Sequence, residues 1–507
     1  MLITERYREK IYGVISCYDR IVIQGVIPGW CFAQGMTSYL YANDIRIFDY
    51  PRFAEPLNDM IRENAERIAK ENGLQIEFIR KPGAFRKDDR IKEIIKERGE
   101  EPGLVYIFSA METCNTYKPW HDKESGKTFL KPDTSKCLHY YFYFIDKDLG
   151  LCYLRVPTWS PFRLQFYMNG HNLLATKLKK NNIDYVMYDN AFLEISDFER
   201  AQELSDKIRV EDLHRALDIF ASRYCPVIDK YNMKYAWTVM QVEYATDIAF
   251  RKQSDLNLMY DHIIRTAIHS VKPDNIATFL GQRLTLHYEG EAGNNFNTRI
   301  LGTRIKHRMG EVSIKMYDKF GIVLRIECTC NNISQFRHIR EVKHKDGTVT
   351  EEKAPMKKSI YSLFVLSGIL KAATRRYLEF ISAFDDPSDG LKNLKKVSKT
   401  VKTSDRTYKG FNFYNEDDQR LLEVLARGEF NIKGFQNRTI REFIPEMSSA
   451  SISRIIKRLH VHGLIKKIKG TYKYYLTKLG KAVISTGLRV KNLFVVPELA
   501  GFQVTSF

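Results

Sequence analysis

The stretch Ser313 to Asn331, SIKMYDKFGIVLRIECTCN, concentrates residue types that do chemistry on phosphates. Read as a hairpin around Phe320 to Ile322, it sets Lys319 opposite Val323, Tyr317 opposite Arg325 and Lys315 opposite Glu327 on one surface. Ile314, Met316, Leu324, Ile326 and Cys328 take the other surface, with Asp318 near the turn. Two readings stay open, a site or the wet side of a sheet, because cross-strand charge pairs contribute only about 0.2–1 kcal/mol each. Upstream, YAWTVMQVEYATDIAF alternates as a strand. Glu243 and Asp247 then share a face, where they could jointly hold a divalent cation. A competing site lies nearer the N-terminus. Asp19, Glu112 and Asp189 sit at strand ends, and acids from separate elements are what a two-metal site needs to neutralise cations at a scissile phosphate.

The elements that must position these residues follow from periodicity. YGVISCYDRIVIQGVIP reads as two strands, PLNDMIRENAERIAKENG as an amphipathic helix stopped by Gly73, LQIEFI and GLVYIFSAME as strands, and DDRIKEIIKERG as a helix. A hairpin turning at Asp148 to Gly150 follows, with its aromatic run LHYYFYF read as a core strand, and then a helix around FRLQFYMNGHNLLATKLKKN. The fold class expected is α/β (α+β), two mixed units followed by a winged helix-turn-helix. The boundaries are 1–196 for an N-terminal α/β domain with a mixed sheet, 197–384 for a central α+β domain, 385–411 for a Lys-rich linker, 412–490 for the winged helix and 491–507 for a tail.

Composition narrows the partner. Lys plus Arg number 80 against 61 Asp plus Glu, a formal charge of +19, which suits a polyanion; nucleic acid, most simply duplex DNA, is the expected partner. No window offers the roughly 18 uncharged apolar residues of a membrane span, and the N-terminus lacks a signal core, so a cytoplasmic protein without membrane contact is expected. The eight cysteines are scattered and read as reduced, buried thiols. No GxxxxGK[ST] loop occurs, so no nucleotide cofactor is expected. An oligomer is left open.

From Asn415 the chain reads as helix, short helix, helix, then the basic aromatic hairpin LIKKIKGTYKYYLT turning at Gly470. This resembles the winged-helix domain of MarR and ArsR regulators. The resemblance implies a third helix in the major groove and a hairpin on phosphates. Ser449, Ser451, Ser453, Arg454, Lys457 and Arg458 would face DNA, and Lys466, Lys467, Lys469, Tyr472 and Lys473 would grip the backbone. The triplet His460 to His462 ends that helix, where residues two apart diverge, so no metal clamp is expected of it.

MYDKFGIVLRIE resembles the YDK and LRxE hairpin of rolling-circle replication initiators, and WTVMQVEYATDIAF is similar to their acidic strand. The resemblance implies metal or scaffold roles for Glu243, Asp247, Asp318 and Glu327, and Tyr317 as nucleophile on a phosphodiester. Mg2+ or Mn2+ would be the cofactor, and the catalytic candidates across both sites are Tyr317, Glu327, Asp19 and Glu112. Arg304, Lys306 and Arg308, in the stretch just before the hairpin, fit a nucleic-acid groove beside the sheet. The function expected is a DNA-binding protein of a mobile or replicating element that cuts or nicks DNA with a divalent metal. The alternative is a non-enzymatic regulator whose first 400 or so residues sense a ligand or dimerise.

Overall fold

Apolar and polar residues alternate in most strands of the first 385 residues, so each strand needs cover on one side, and the computed structural model gathers most of them into one large sheet beside two small hairpins. It describes residues 2–80, 85–282, 292–299, 302–385, 388–412, 414–427, 430 and 434–500. The chain divides into two compact units, Met1–Asp385 and Asp386–Phe507.

In the first unit the strands that matter are β1 (Ile11–Val26), β2 (Ile76–Ile79), β3 (Gly103–His121), β4 (Thr128–Asp146), β5 (Gly150–Pro157) and β6 (Leu164–Asn169), then β7 (Tyr185–Tyr188) and β8 (Ala191–Ile195). They continue with β9 (Ala236–Phe250), β10 (Ala292–Arg299), β11 (Gly302–Met309), β12 (Val312–Lys319) and β13 (Val323–Cys330). All but β7 and β8 join one 11-stranded sheet in the order β10-β11-β12-β13-β9-β1-β6-β5-β4-β3-β2. The boundary expected at 196/197 is corrected here: β1 and β9 pair antiparallel from Ile11 opposite Phe250 to Val26 opposite Ala236, which fuses the two expected units into one. The segment read as two strands is the single 16-residue β1. The helix expected around 162–181 is β6 followed by the helix Gly170–Lys180, because Leu164, Phe166 and Met168 alternate and Asn169 caps the helix with its side-chain oxygen.

One face of the sheet carries the main core. Tyr18, Ile21, Ile23, Ile314, Met316, Leu324, Ile326 and Cys328 pack there against Leu57, Ile61, Leu213, Leu217, Ile263, Leu366 and Leu370 of four long helices. Each fully buried Leu or Ile contributes about 1.5–3 kcal/mol, so this face fixes the register of every strand it includes. The opposite face is covered in patches. Leu174 and Leu178 of the helix Gly170–Lys180 pack on Ile15 and Cys17, and Ile91 of the helix Lys87–Arg98 packs with Ile79, Val105 and Phe108. The middle of that face is polar. Among the described residues no helix is long and apolar enough to cross a membrane, and all eight cysteines are free thiols.

The second unit holds the helices Ser388–Ser398, Glu416–Leu425, Asn437–Phe443 and Ser449–Val461, a hairpin of Ile465–Lys467 with Tyr474–Leu476, and the helix Lys478–Val490. Asn415 and Ser448 cap two of these helices, accepting from the N–H groups of Asp418 and Ser451. Of the segment 385–411, expected as a linker, residues 388–411 belong to this unit: Val397 and Phe411 are buried with Leu421, Leu425, Ile452, Ile456 and Leu459. Its lysines made it read as solvated, while the two apolar residues that anchor it are too far apart to show a period.

Gly170 starts its helix against β1, where an added Cβ would stand 2.0 Å from the Tyr18 carbonyl oxygen. Gly170→Ala should therefore cost about 1–3 kcal/mol of stability through backbone displacement, read as a lower denaturant midpoint. An unchanged midpoint would show the contact to be dispensable.

Candidate functional site

The polar middle of the sheet begins with an irregularity in β1. Tyr18 lies opposite Tyr244 and Arg20 opposite Glu243, so Asp19 is one extra residue, a β-bulge. Ile15 and Cys17 precede it on the same face, and Val22 lies in register with Tyr167 of β6 beyond it. The bulge thus turns both Asp19 and Arg20 toward the polar face, which regular alternation forbids.

The neighbouring strands deliver the rest. On β9 Glu243, Ala245 and Asp247 stand opposite Thr329, Glu327 and Arg325 of β13, and on β12 Lys315 and Tyr317 stand opposite Glu327 and Arg325. This is the hairpin register expected from the sequence. Its polar surface is not wet, however: Arg325 is 0% and Glu327 2% exposed.

Arg325 is the hub. Its Nε donates to Asp247 Oδ1 at 2.7 Å and its Nη2 to Asp247 Oδ2 at 2.6 Å, while Nη1 lies 3.5 Å from Asp19 Oδ2. His171, placed by the Asn169 cap, sets Nδ1 3.1 Å from Asp19 and Nε2 3.2 Å from Asp247. Asn169 and Asn190 also donate to Asp19, at 3.3 and 2.5 Å. Burial alone would raise both aspartates, yet Arg325 and His171 outweigh it: Asp247 is held down at about 2 and Asp19 lower still. Burial opposes the charge on His171, but Cys17, Asp19 and Asp247 raise its proton affinity well above the ordinary value, while its Nε2 also lies 3.1 Å from Arg325 Nη2.

Beside this hub Asp19, Glu243 and Glu327 each present a carboxylate oxygen, all within 4.8 Å of one another. These three, and not the pair expected from the strand alternation, form the group that could hold a cation. Asp247 shares its face with Glu243 but is committed to Arg325 and His171. Asp318 is displaced from the group as well, since it stands opposite Leu324 on the alternate side of β12 from Tyr317. Glu243 is pushed up, by burial first and then by Glu327, against Lys315 and Arg20. Lys315 Nζ lies 2.5 Å from Glu327 and 3.6 Å from Glu243, and the Tyr317 hydroxyl donates to Glu327 Oε2 at 2.9 Å. Burial and the Glu327 charge hold the phenol proton on Tyr317 well past its ordinary range. Lys319, on the same face, is lowered to about 8 by burial and by Arg325.

The two candidate sites therefore merge in part. Asp19 from the N-terminal set joins Glu243 and Glu327 from the central one. Glu112 does not: it lies on β3, separated from β1 by β4, β5 and β6, and takes Arg155 at 2.6 Å and the Tyr141 hydroxyl at 2.6 Å. Asp189 pairs with Lys92 at 2.7 Å and faces Lys319 at 3.8 Å. Lys306 stands opposite Lys315, so Arg304, Lys306 and Arg308 line the same face on β11. Lys306 is lowered by burial and then by Lys315, Arg308 and Arg304, a row of like charges. Tyr377 is remote from the patch, buried with its hydroxyl 3.0 Å from His307.

In the second unit Ser453, Arg454 and Lys457 of the helix Ser449–Val461 are exposed, as are Lys466, Lys467, Lys469 and Tyr472 of the hairpin; Ser451 and Lys473 are half-buried. Arg458 is corrected from a surface contact to a structural one. It is buried, pairs with Asp418 through both terminal nitrogens at 2.7 and 2.9 Å, and donates to the Lys409 and Gly410 carbonyls. His460 is exposed while His462 is buried, so the two imidazoles diverge.

His171, Asn169 and Arg20 were not singled out from the sequence. The one available signal was the Asn-Gly-His run, a cap followed by a residue that permits close approach. The sequence matches no protein-family model and no curated protein.

Two outcomes test the hub. Arg325→Met should cost about 3–5 kcal/mol by leaving two carboxylates buried without their partner, and Arg325→Lys should not restore it, because an ammonium cannot reproduce the fork. Asp247 ionises in the folded state at about 2 against an ordinary 3.8, so its contribution is present above about pH 4 and is lost as pH falls toward 2. Acid titration of the unfolding midpoint should lose that decline in Asp247→Asn; an identical decline in both proteins would remove Asp247 from the hub.

Proposed function

We propose that this protein is a DNA-processing enzyme of a mobile or replicating element, which cuts or nicks a strand with the aid of Mg2+ or Mn2+ at Asp19, Glu243 and Glu327. The convergence of three carboxylates from β1, β9 and β13 beside the Tyr317 hydroxyl carries this reading. The donor set is all oxygen, which suits a hard divalent cation. When bound, the cation would neutralise charge building on a phosphodiester.

The chain's own groups divide the remaining work. Glu327 accepts the hydroxyl hydrogen of Tyr317 and is placed to take its proton as the phenolic oxygen attacks phosphorus. The P–O bond to the leaving sugar oxygen then breaks, and a 3′ or 5′ phosphotyrosyl linkage forms as a free hydroxyl is released. Lys319, with a proton affinity set near pH 8, suits the donor to that leaving oxygen. Arg304, Lys306 and Arg308 suit the flanking phosphates.

One observation favours the non-enzymatic alternative. Asp19, Asp247, Glu243 and Glu327 already lie against Arg325, His171, Lys315 and Arg20, with Lys319 on the same face, so these acids have basic partners without a cation. On the enzymatic reading Lys315 holds the cation's place and must swing away when it enters.

The second unit supports DNA binding through the winged-helix reading, with Arg454 and Lys457 at base edges and the hairpin lysines on phosphates. Joint replacement of Lys466, Lys467 and Lys469 by Ala should weaken binding to every duplex and lower the salt slope by about 1 for each phosphate no longer neutralised. Arg454→Ala should relax sequence preference by about 1–3 kcal/mol. Equal affinity in low salt for wild type and the triple variant would sink the winged-helix reading.

For the enzyme, purified protein is mixed with supercoiled, branched and single-stranded DNA in Mn2+ or Mg2+. Cleavage should vanish in Glu243→Gln and in Glu327→Gln, and a denaturation-resistant protein–DNA adduct should vanish in Tyr317→Phe. Free ends without adduct would assign hydrolysis in place of a tyrosine nucleophile, and intact DNA throughout would leave the regulator. Cation binding should tighten as pH rises through the raised Glu243 value, since the metal must otherwise displace a proton.

A further inference from the structure

The bulge that aims Asp19 at the carboxylates aims Arg20 the other way, into a cavity of about 870 Å³ on the same face. It runs from Gln241 of β9 across β1, β6, β5 and β4 to Glu112 of β3, a width of about 24 Å at about 4.8 Å per strand. Its wall is a row of tyrosines in register: Val22 stands opposite Tyr167, Tyr167 opposite Tyr153, and Tyr153 opposite Tyr143. Tyr153 and Tyr167 stack at 5.0 Å with planes 10° apart, and Arg20 lies over Tyr167 at 5.6 Å. Tyr143 is buried and tilted by 42° against Tyr153, so the half-buried Tyr153 and Tyr167 are the part of the row that meets the cavity.

The charges around this wall are of both signs. Arg155 and Lys87 pair with Glu112 at its far end, and Lys87 also sits 3.3 Å over the Tyr141 ring. Asp88, in the first turn of the helix Lys87–Arg98, is exposed at the rim and its charge reaches Tyr143, Tyr153 and Tyr167. A site built for phosphates alone would be cationic throughout. Carboxylates, amides and hydroxyls facing inward together suit the edges of nucleobases, whose amino groups need acceptors as much as their ring nitrogens and carbonyls need donors. The volume, within the span of about 300–1,000 Å³ typical of small-ligand pockets, admits a few nucleotides, whose pairing edges are free to meet these groups when unpaired.

We infer that this tyrosine groove is a base-reading subsite for a short single-stranded segment, lying beside the Asp19, Glu243 and Glu327 centre. The inference rests on the proposed function for the class of ligand, nucleic acid. It adds that the bound part is unpaired and that its sequence is read by Asp88, Gln165 and Tyr153. Gln165 fits this role, since it lies opposite Arg155 across the β5–β6 pair and its amide reaches the Tyr153 hydroxyl at 3.5 Å.

The test separates binding from cleavage by working in EDTA. Full-length protein is equilibrated with a pool of randomised single-stranded DNA, with excess unlabelled duplex to occupy the second unit. Bound strands are sequenced, and affinity for the best one is measured by fluorescence anisotropy. Wild type should enrich a short motif. Tyr153→Phe and Asp88→Asn, both conservative changes at or near the surface, should shift or erase that motif. Tyr153→Ala should weaken the best strand about 5-fold or more, with duplex affinity unchanged.

No enrichment by the wild type, or the same motif and affinity in all three variants, overturns the inference. Glu243→Gln serves as the control for the cleavage reading. If it abolishes cutting yet keeps the motif, both proposals stand. If no protein cuts but the groove variants still change the motif, the cleavage reading fails and the subsite remains.

Discussion

A guanidinium with no exposure to water, at the junction of the two halves of one sheet, constrains everything around it. Arg325 cannot be desolvated unless its charge is met, and two carboxylates from different strands meet it, Asp247 from β9 and Asp19 from β1. Its Nη2 also donates to the Asn190 carbonyl at 2.5 Å, just before β8, and His171 closes the space between the two aspartates. Four separated segments are thereby tied to one cation. The cost of burying such charges exceeds what their pairing returns unless the geometry is good, so a network of this kind specifies an arrangement more than it stabilises one.

That specification sorts the acids of the face into two kinds. Asp247 is fully committed, held down by Arg325 and His171, and is structural in the strict sense that its loss exposes a buried arginine. Glu243 has the opposite environment: its nearest strong influence after burial is another carboxylate, Glu327, and its proton affinity rises accordingly. Asp19 belongs to both kinds, ionised by the hub and within reach of the triad. One acid is held low, another is pushed up and a third accepts from the Tyr317 hydroxyl, a pattern that structural ion-pair networks and acid–base sites share.

Much of this was legible locally and little of it globally. The β12–β13 register followed from Ile314, Met316, Leu324 and Ile326, because an apolar face pins every side chain at once and a slip of one residue would bury Lys315 and Glu327 in the core. The pairing of β1 with β9 was not legible. Strands separated by more than 200 residues carry no local mark of their partner, so two halves of a sheet read as two domains. Nor could alternation reveal the Asp19 bulge, since an inserted residue shows only against the strand opposite it. Arg458 follows the same rule: on the helix it is adjacent to exposed Lys457, and the partners that mark it as buried, Asp418 and the Lys409 and Gly410 carbonyls, lie 40 to 49 residues away in sequence.

The bulge places the carboxylate group and the proposed base-reading groove side by side on this sheet. Asp19 and Arg20 are consecutive, yet one joins the carboxylate group and the other caps the tyrosine row. Arg20 additionally lies in the field of Glu243, where it works to lower that carboxyl against burial and Glu327. A strand that drew Arg20 toward its own phosphate would remove part of that stabilisation and leave Glu243 more dependent on an added cation. Occupancy of the groove and occupancy of the carboxylate group would then favour each other through one side chain, with no movement of the backbone required.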